Sequence, residues 1–293
     1  MFEGLYTALV TPFRGDSIDY DALEKIIEHQ IKGGVDGVVP AGTTGESPTL
    51  SFDEHKELIR QTVKMVNGRV KVVAGTGANS TREAICLSKS AEDAGANGIL
   101  SVNPYYNKPT QEGLILHFEA IANSISIPVI LYNIPGRTAV NFMPESVASL
   151  LERVDNITAI KEATGDLAQM MRVHELCGDR LTLLSGDDNL LLPLLSIGGK
   201  GIISVLSNLF PADLKAVIDN FNNNDIIKSR EAFYKILPLC RAMFLETNPI
   251  PIKSAMAMAG YCSSDMRLPM VPLGPANKEV LAEALKKYGA DFI

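Results

Sequence analysis

Eight short runs rich in valine and isoleucine alternate with helix-forming segments along most of the chain. The distances between successive starts, 20 to 34 residues, fit a strand, a crossover helix and two short loops. Parallel strands need such crossovers, so eight of these units predict one closed parallel barrel. The runs begin near Tyr6, Asp36, Val70, Gly98, Pro128, Ile157, Leu181 and Gly201.

The segments between the runs have the one-faced apolar pattern of helices that cover a sheet. Between the first two runs, apolar residues from Ala22 to Ile31 recur at helical spacing. The runs themselves are almost continuously apolar, as in Val129, Ile130 and Leu131, which a sheet covered on both faces requires. We therefore predict that residues 1–223 form an α/β domain, a (β/α)8 TIM barrel.

After residue 223 the pattern changes to helices alone. Segments 226–246, 251–260 and 278–288 are predicted to be helical, and 266–275 is predicted to be a proline-broken crossing. This C-terminal helical appendage, residues 224–293, is expected to pack outside the barrel or to build a subunit interface. The sequence assigns it no part in the chemistry.

Composition excludes several classes of protein. With 46% hydrophobic residues in 293, the chain can bury a large core and is too apolar to be disordered. A net charge of −7, with no run of Lys or Arg longer than two, argues against binding to nucleic acid. The expected ligand is therefore a small molecule.

The cysteines and histidines are isolated in sequence. Four cysteines without a C-x-x-C pair fit neither a disulfide framework nor a zinc site, and the four histidines are expected to be surface or capping residues. The N-terminus lacks a signal-peptide pattern, and no apolar run approaches the roughly 18 residues of a membrane span. A cytoplasmic location is expected, without a metal.

A lysine, Lys161, ends the sixth apolar run, and active sites of such barrels lie at the carboxyl ends of the strands. Desolvation near the interior disfavours the ammonium form, which is how a lysine becomes a nucleophile that forms an imine with a carbonyl compound. The alternative is a strand-end lysine whose amine extends to solvent.

Polar and aromatic residues follow the other runs. Thr43 and Thr44 stand between glycines, so their amides and hydroxyls can converge on a carboxylate; the alternative is a tight turn that caps the helix starting near Asp53. Tyr105 or Tyr106, after the fourth run, and Tyr132, after the fifth, could pass protons to and from an amine, unless they are amphipathic plugs.

Three further motifs have different interpretations. Arg137 offers a fork for a carboxylate. Residues 74–80 resemble a phosphate cradle but lack the lysine of a P-loop, so a turn followed by a helix cap is predicted. Asp187 and Asp188 suggest a metal site, yet no further ligand stands at suitable spacing, and a helix N-cap before Leu190 is predicted instead.

Taken together, these motifs make the chain resemble the dihydrodipicolinate synthase family over its whole length. The resemblance rests on segments 42–46, 105–107, 132–138, 160–164, 185–187, 247–253 and 268–270. It implies a lyase that condenses pyruvate with L-aspartate-4-semialdehyde to 4-hydroxy-tetrahydrodipicolinate, an early step of diaminopimelate and lysine synthesis. It also implies Schiff-base chemistry with no metal or organic cofactor.

The resemblance implies a role for each matching residue. Lys161 would form the Schiff base with pyruvate, and Tyr132 would donate and accept protons, linked through Thr43 to Tyr106 of a neighbouring subunit. Such sharing of a site fits the homotetramer, a dimer of dimers, that is common in the family.

Four further positions would bind the substrates. Thr44 would hold the pyruvate carboxylate, and Arg137 would hold the carboxylate of the semialdehyde. The main chain of Ile203 and Gly186 would line the site.

Two other functions share some of these features. Another pyruvate-dependent aldolase, such as N-acetylneuraminate lyase or a keto-deoxy sugar acid aldolase, would share Lys161 and Tyr132, but Arg137 favours a short, charged aldehyde. A non-catalytic keto-acid sensor would need no proton relay.

Some family members are inhibited by lysine at the subunit interface, and the resemblance implies such a site here. Pro48 and Phe52 depart from the familiar pattern, and the alternative is an ordinary polar helix face. The matching positions are Ser47, His55, Asn79, Glu83 and Tyr105.

Overall fold

The computed structural model describes residues 2–290 and residue 292. Eight parallel strands form a closed barrel in which each strand pairs with the next and the last pairs with the first. The prediction of a TIM barrel is confirmed. The strands are β1 (Gly4–Ala8), β2 (Gly37–Val39), β3 (Lys71–Gly75), β4 (Gly98–Val102), β5 (Val129–Asn133), β6 (Ile157–Glu162), β7 (Thr182–Ser185) and β8 (Gly201–Ser204).

Helices connect successive strands and cover the outside of the barrel. A two-stranded hairpin, Phe13–Arg14 with Ser17–Ile18, follows β1. The helices of the barrel are α1 (Tyr20–Lys32), α2 (Phe52–Val66), α3 (Thr81–Asp93), α4 (Gln111–Ala122), α5 (Pro135–Thr138), α6 (Pro144–Leu151), α7 (Leu167–Cys177), α8 (Leu191–Ser196) and α9 (Pro211–Asn222).

Helix α2 shows how local sequence determines these boundaries. Ser51 accepts a hydrogen bond from the Glu54 amide while the Glu54 side chain accepts one from the Ser51 amide, which forms a capping box. The buried face of the helix includes Leu58, Ile59 and Val66. Because Ser51 caps α2, the Gly-Thr-Thr-Gly loop is not needed for that purpose.

The barrel has two apolar regions separated by its sheet. Side chains alternate between the faces of a strand, so one set fills the interior and the other packs under the helices. The interior cluster is Phe2, Tyr6, Ala8, Val39, Val73, Leu100, Ile130, Tyr132, Ala159, Leu184 and Ile203.

Strand register brings the two predicted reactive residues together. Tyr132 of β5 lies opposite Lys161 of β6, and the next pair is Asn133 with Glu162. Because neighbouring residues of a strand point to opposite faces, Tyr132 and Lys161 share the interior face, and Asn133 and Glu162 share the outer face.

Three helices follow the barrel: α10 (Ile226–Ala242), α11 (Ile250–Met258) and α12 (Pro275–Tyr288). Helix α10 packs on α9 and α12, with Phe233, Ile236 and Leu239 buried. Segment 266–275 crosses between helices, as predicted. No helix in the described part of the chain is long and apolar enough to cross a membrane.

Two of the histidine predictions are wrong. His55 and His117 are buried: His55 Nε2 lies 2.6 Å from the Gly75 carbonyl oxygen, and His117 Nδ1 lies 2.9 Å from Thr81 Oγ1. Burial lowers the pKa of both rings, that of His117 to about 4. Both histidines connect neighbouring elements inside the protein, which isolated positions in a helical pattern do not reveal.

Candidate active site

Lys161 lies at the carboxyl end of β6 and is only 5% exposed. Its Nζ sits 4.3 Å from the centroid of the Tyr132 ring. Within the described residues no carboxylate lies within ion-pair distance of Lys161, although Asp187 in the same cavity interacts with it electrostatically, and the amine does not extend to bulk solvent. A buried, unpaired amine at a barrel mouth is open to a ligand.

The loop after β7 packs directly on the stem of this lysine. A Cβ atom at Gly186 would lie 3.0 Å from Lys161 Cε and 2.6 Å from the Cβ of Ala163. Real Cβ atoms essentially never approach as closely as the contact with Ala163, and the contact with Lys161 is tight, so glycine is the residue that fits here without a shift of its neighbours.

Residues of seven strands, or of the loops that follow them, enclose a cavity above the barrel interior together with the appendage. It contains five predicted residues besides Lys161: Thr43, Thr44, Tyr132, Arg137 and Gly186. Ile203 lies in the interior cluster instead, and Val205 lines the cavity. The full lining is Ala8, Val39, Gly42, Thr43, Thr44, Leu100, Tyr132, Ile134, Arg137, Lys161, Gly186, Asp187, Val205, Phe244 and Asn248.

Tyr106 does not line this cavity. Its side chain is 93% exposed, and its backbone has a φ of 73°, in the left-handed region. A single chain therefore does not bring Tyr106 to the other predicted site residues.

The Gly-Thr-Thr-Gly loop is held in place from two sides. Thr11 Oγ1 donates to the Gly45 carbonyl over 2.6 Å. From the appendage, Lys253 Nζ lies 2.5 Å from Glu46 Oε1, and both side chains are 1% exposed. Burial lowers the pKa of Lys253, and the Glu46 carboxylate opposes that change.

The appendage also reaches the cavity, which the sequence does not predict. Asn248 Nδ2 donates to Thr44 Oγ1 over 3.1 Å, and Arg137 Nη2 donates to the Asn248 carbonyl over 2.9 Å. Phe244, half exposed, lies beside them. The expectation that the appendage has no part in the site is wrong, because the segment between α10 and α11 folds back over the barrel mouth. Its polar asparagine within the 247–253 motif was the available signal.

The acidic pair after β7 has a different role from the predicted helix cap. Asp188, 1% exposed, accepts hydrogen bonds from the Ser204 hydroxyl and from the amides of Val205 and Leu206, 3.2 and 3.0 Å away. Asp188 thus fixes the end of β8 to the loop after β7. Asp187 lines the cavity without capping the following turn, and burial raises the pKa of its carboxyl.

A second polar cluster, also missed, lies on the outer face behind Tyr132 and Lys161. Glu162 accepts from Asn133 Nδ2 and from Thr164 Oγ1, each over 3.0 Å, and Asn103 Nδ2 donates to Asn133 Oδ1 over 2.8 Å. Burial raises the pKa of Glu162 to about 7. The cluster holds β5 and β6 together next to the cavity.

The positions matched to lysine inhibition lie around Glu83. Asn79 Nδ2 donates to the Tyr105 carbonyl over 3.2 Å, and the exposed Glu83 carboxylate acts on both His55 and Tyr105. Burial, with Glu83 adding to it, raises the pKa of Tyr105. Ser47 is half-buried at the end of the Gly-Thr-Thr-Gly loop.

Within the described ranges, no three His, Cys, Asp or Glu side chains gather where they could hold a metal ion. The cavity instead combines a buried amine, a phenol, hydroxyls and a guanidinium. The fold and this site define a (β/α)8-barrel enzyme.

Residues 1–288 match the model of the dihydrodipicolinate synthetase family, and the chain belongs to that family. The 4-hydroxy-tetrahydrodipicolinate synthase of Leptospira biflexa is 58% identical over 287 residues, which cover 98% of this chain and 96% of the relative.

Solved structures agree with this assignment. The chloride-inhibited dihydrodipicolinate synthase of Acinetobacter baumannii, complexed with pyruvate, is 41% identical with a TM-score of 0.96, covering 99% of both chains. The DHDPS structure from Cyanidioschyzon merolae with lysine bound is 40% identical with a TM-score of 0.95, covering 98% of both chains.

Proposed function

We propose that this protein condenses pyruvate with L-aspartate-4-semialdehyde to form 4-hydroxy-tetrahydrodipicolinate. The observation that carries the proposal is the buried, unpaired amine of Lys161 in a cavity that also contains Tyr132, Thr44 and Arg137. The name of the L. biflexa relative and the pyruvate complex of the A. baumannii relative support it.

In the proposed reaction, the neutral amine of Lys161 attacks the keto carbon of pyruvate, and the resulting carbinolamine loses water to give an iminium. The iminium accepts electrons when a methyl proton leaves, which yields an enamine. The enamine carbon then attacks the aldehyde carbon of the second substrate, whose oxygen takes a proton, and the Lys161 iminium is restored. The amino group of the second substrate attacks the iminium carbon and expels the Lys161 amine, which closes the ring and frees the enzyme. The protein-bound iminium is the electron sink, so the sequence of steps uses no metal or organic cofactor.

Each substrate also carries a carboxylate that needs a partner. Thr44 is proposed to hold that of pyruvate, next to Lys161. Arg137, whose Nη2 is already fixed on the Asn248 carbonyl, is proposed to hold that of the semialdehyde. The main chain at Gly186, which lines the cavity, and at Ile203, whose side chain lies in the interior cluster below it, is proposed to complete the pocket. A guanidinium in the cavity favours a charged aldehyde over a neutral sugar tail.

Tyr132 is proposed to transfer the protons of imine formation, through Thr43 to Tyr106. Because Tyr106 is 93% exposed and outside the cavity of its own chain, we assign it to the site of a neighbouring subunit. A dimer would then be the smallest complete catalytic unit, within a homotetramer built as a dimer of dimers.

Lysine is proposed to inhibit the enzyme at the cluster formed by Ser47, His55, Asn79, Glu83 and Tyr105. The Glu83 carboxylate offers a partner for a cationic amino acid, and the lysine-bound relative from C. merolae supports the proposal. We expect millimolar lysine to lower the initial rate in a coupled assay. An unchanged rate would remove this part of the proposal.

The proposed division of the chain is a catalytic barrel, residues 1–223, and a helical appendage, residues 224–293, that completes its site. The proposed place of action is the cytoplasm, in the synthesis of diaminopimelate and lysine. The isolated, unpaired cysteines support a reducing compartment.

Borohydride reduction in the presence of pyruvate tests the proposed function. We expect one reduced pyruvate adduct on the peptide that contains Lys161, because borohydride traps an iminium as a stable amine. The Lys161→Arg variant should show no adduct and lose activity by roughly a thousandfold or more.

Lys253 is the matched internal control, since it is also buried but paired with Glu46. Its peptide should remain unmodified. An adduct elsewhere, or undiminished condensation by Lys161→Arg, would refute the mechanism.

A further inference from the structure

Asn248 connects the appendage to the threonine proposed to bind pyruvate. Its Nδ2 lies 3.1 Å from Thr44 Oγ1, and the two residues are 5% and 2% exposed. Both line the cavity that contains Lys161. Solvent therefore does not compete with Asn248 for this hydroxyl.

The polarity of this hydrogen bond determines what the hydroxyl can offer a ligand. A threonine hydroxyl has one hydrogen to donate and two lone pairs that accept. Because Thr44 accepts from the Asn248 amide, its hydrogen stays free, and within the described part of the chain Thr44 Oγ1 has no other partner. An ionised carboxylate only accepts, so it needs that hydrogen.

Backbone hydrogen bonds hold Asn248 in place while its side-chain amide donates to Thr44. Its carbonyl accepts from Arg137 Nη2 over 2.9 Å, and the Ile250 amide donates to the Thr247 carbonyl over 2.9 Å. The backbone is thus held at Asn248 and across the turn that contains it, which places the side-chain amide beside Thr44.

We propose that Asn248 is a positioning residue that directs the hydroxyl hydrogen of Thr44 toward the substrate carboxylate. The inference rests on the proposed function, since it takes pyruvate as the ligand of Thr44. Asn248 Oδ1 has no hydrogen-bond partner among the described residues, so the contact from Nδ2 to Thr44 is the one hydrogen bond of this side chain there.

Replacing Asn248 by its isostere tests this polarity. In Asn248→Asp, a carboxylate that only accepts would draw the Thr44 hydrogen away from pyruvate. In Asn248→Ala, the hydroxyl would merely turn freely. We expect KM for pyruvate to rise roughly 10-fold or more with Asp and roughly 3-fold with Ala, since hydrogen bonds to charged groups are the strong ones. The kcat at saturating pyruvate should change less.

Asn248→Asp also introduces a negative charge that repels the pyruvate carboxylate. Repeating both substitutions in the Thr44→Val protein separates this repulsion from the effect on the Thr44 hydroxyl. Without a hydroxyl, Asn248→Ala should have no further effect on KM, and Asn248→Asp should raise it by a smaller factor than beside Thr44. Asn223→Asp, on the exposed turn after α9, adds the same charge far from the cavity and should leave KM unchanged.

The proposal would be overturned if Asn248→Asp and Asn248→Ala raised KM equally in the protein that retains Thr44. It would also be overturned if the two substitutions raised KM by the same factors in the Thr44→Val protein. If Asn248→Asp fails to fold by circular dichroism, the Ala and Val pair still decides: additive effects refute it, and non-additive effects support it. Absence of any borohydride adduct in the unaltered protein would count against the proposed function instead.

Discussion

Two buried lysines, Lys161 and Lys253, have opposite surroundings. Lys253 is paired with Glu46 over 2.5 Å and lies over the ring of Phe13, so its charge is compensated. Lys161 lies over the ring of Tyr132 and has no ion pair within the described residues. At the scale of single residues, this difference separates a lysine that stabilises the fold from one whose nitrogen is available to a substrate.

Glu162 should make stability depend on pH. Burial raises its folded pKa from 4.5 to about 7, so the folded state retains a proton that the unfolded state has lost. Its contribution is therefore fully present below pH 4.5 and is lost as pH rises through 7. As the pH rises from 5 to 8, we expect the unfolding free energy of the unaltered protein to fall. This fall should be about 2–3 kcal/mol larger than in the Glu162→Gln variant.

Urea denaturation at several pH values measures this difference. Asp187 and Asp188 remain in both proteins, so their own titration contributes to both curves. The negative charge of Asp187 adds to the raised pKa of Glu162 and is part of the measured difference. Parallel pH curves for the two proteins would show that Glu162 does not titrate in this range.

At the scale of elements, the Gly-Thr-Thr-Gly loop depends on the buried Lys253–Glu46 pair. Lys253→Met should cost about 3–5 kcal/mol of unfolding free energy, because it leaves the buried Glu46 carboxylate without its cationic partner. The double variant with Glu46→Gln should recover part of this loss. Denaturant titration at fixed protein concentration gives the values.

The exposed pair between Lys287 and Glu283 is the control. Its side chains are 74% and 65% exposed, so Lys287→Met should cost less than about 1 kcal/mol. A cost for Lys253→Met no larger than this would contradict the assigned role of the buried pair.

The strands and most helices could be predicted because their signals are local. Periodic apolar residues and a fixed repeat length indicated a barrel, and Lys161, Thr44 and Arg137 stood at predicted strand ends. Asn248 could not be found this way, because the return of the appendage over the barrel depends on contacts between residues about 200 positions apart, such as the hydrogen bond to Thr44.

Other polar residues were misassigned for the same reason, because their roles depend on contacts that are distant in sequence. Asp188 precedes a helical segment, so a cap was the reasonable interpretation, yet it binds the end of the next strand. His55 and Glu162 follow ordinary helix and strand patterns, and only the packed structure shows that their polar atoms are buried.

At the scale of the whole molecule, the proposed contribution of Tyr106 to a neighbouring site can be tested with hybrid dimers. Lys161→Ala and Tyr106→Phe subunits should each have low activity alone. Co-refolded in equal amounts, they should regain about a quarter of the native sites, because each hybrid dimer would contain one intact pair. Initial rates after exchange provide the measurement.

No recovery would mean that Tyr106 serves its own chain, since no hybrid would then hold an intact site. Mass spectrometry of the intact assemblies verifies that the hybrids have formed.

The segment between α10 and α11 supplies the amide that contacts Thr44 and the carbonyl that contacts Arg137. A version trimmed to the eight βα units could still close its sheet, but Thr44 and Arg137, the two groups proposed to bind carboxylates, would each lose a hydrogen bond. Grafting this catalytic apparatus onto a shorter scaffold would therefore require transplanting that distant stretch as well.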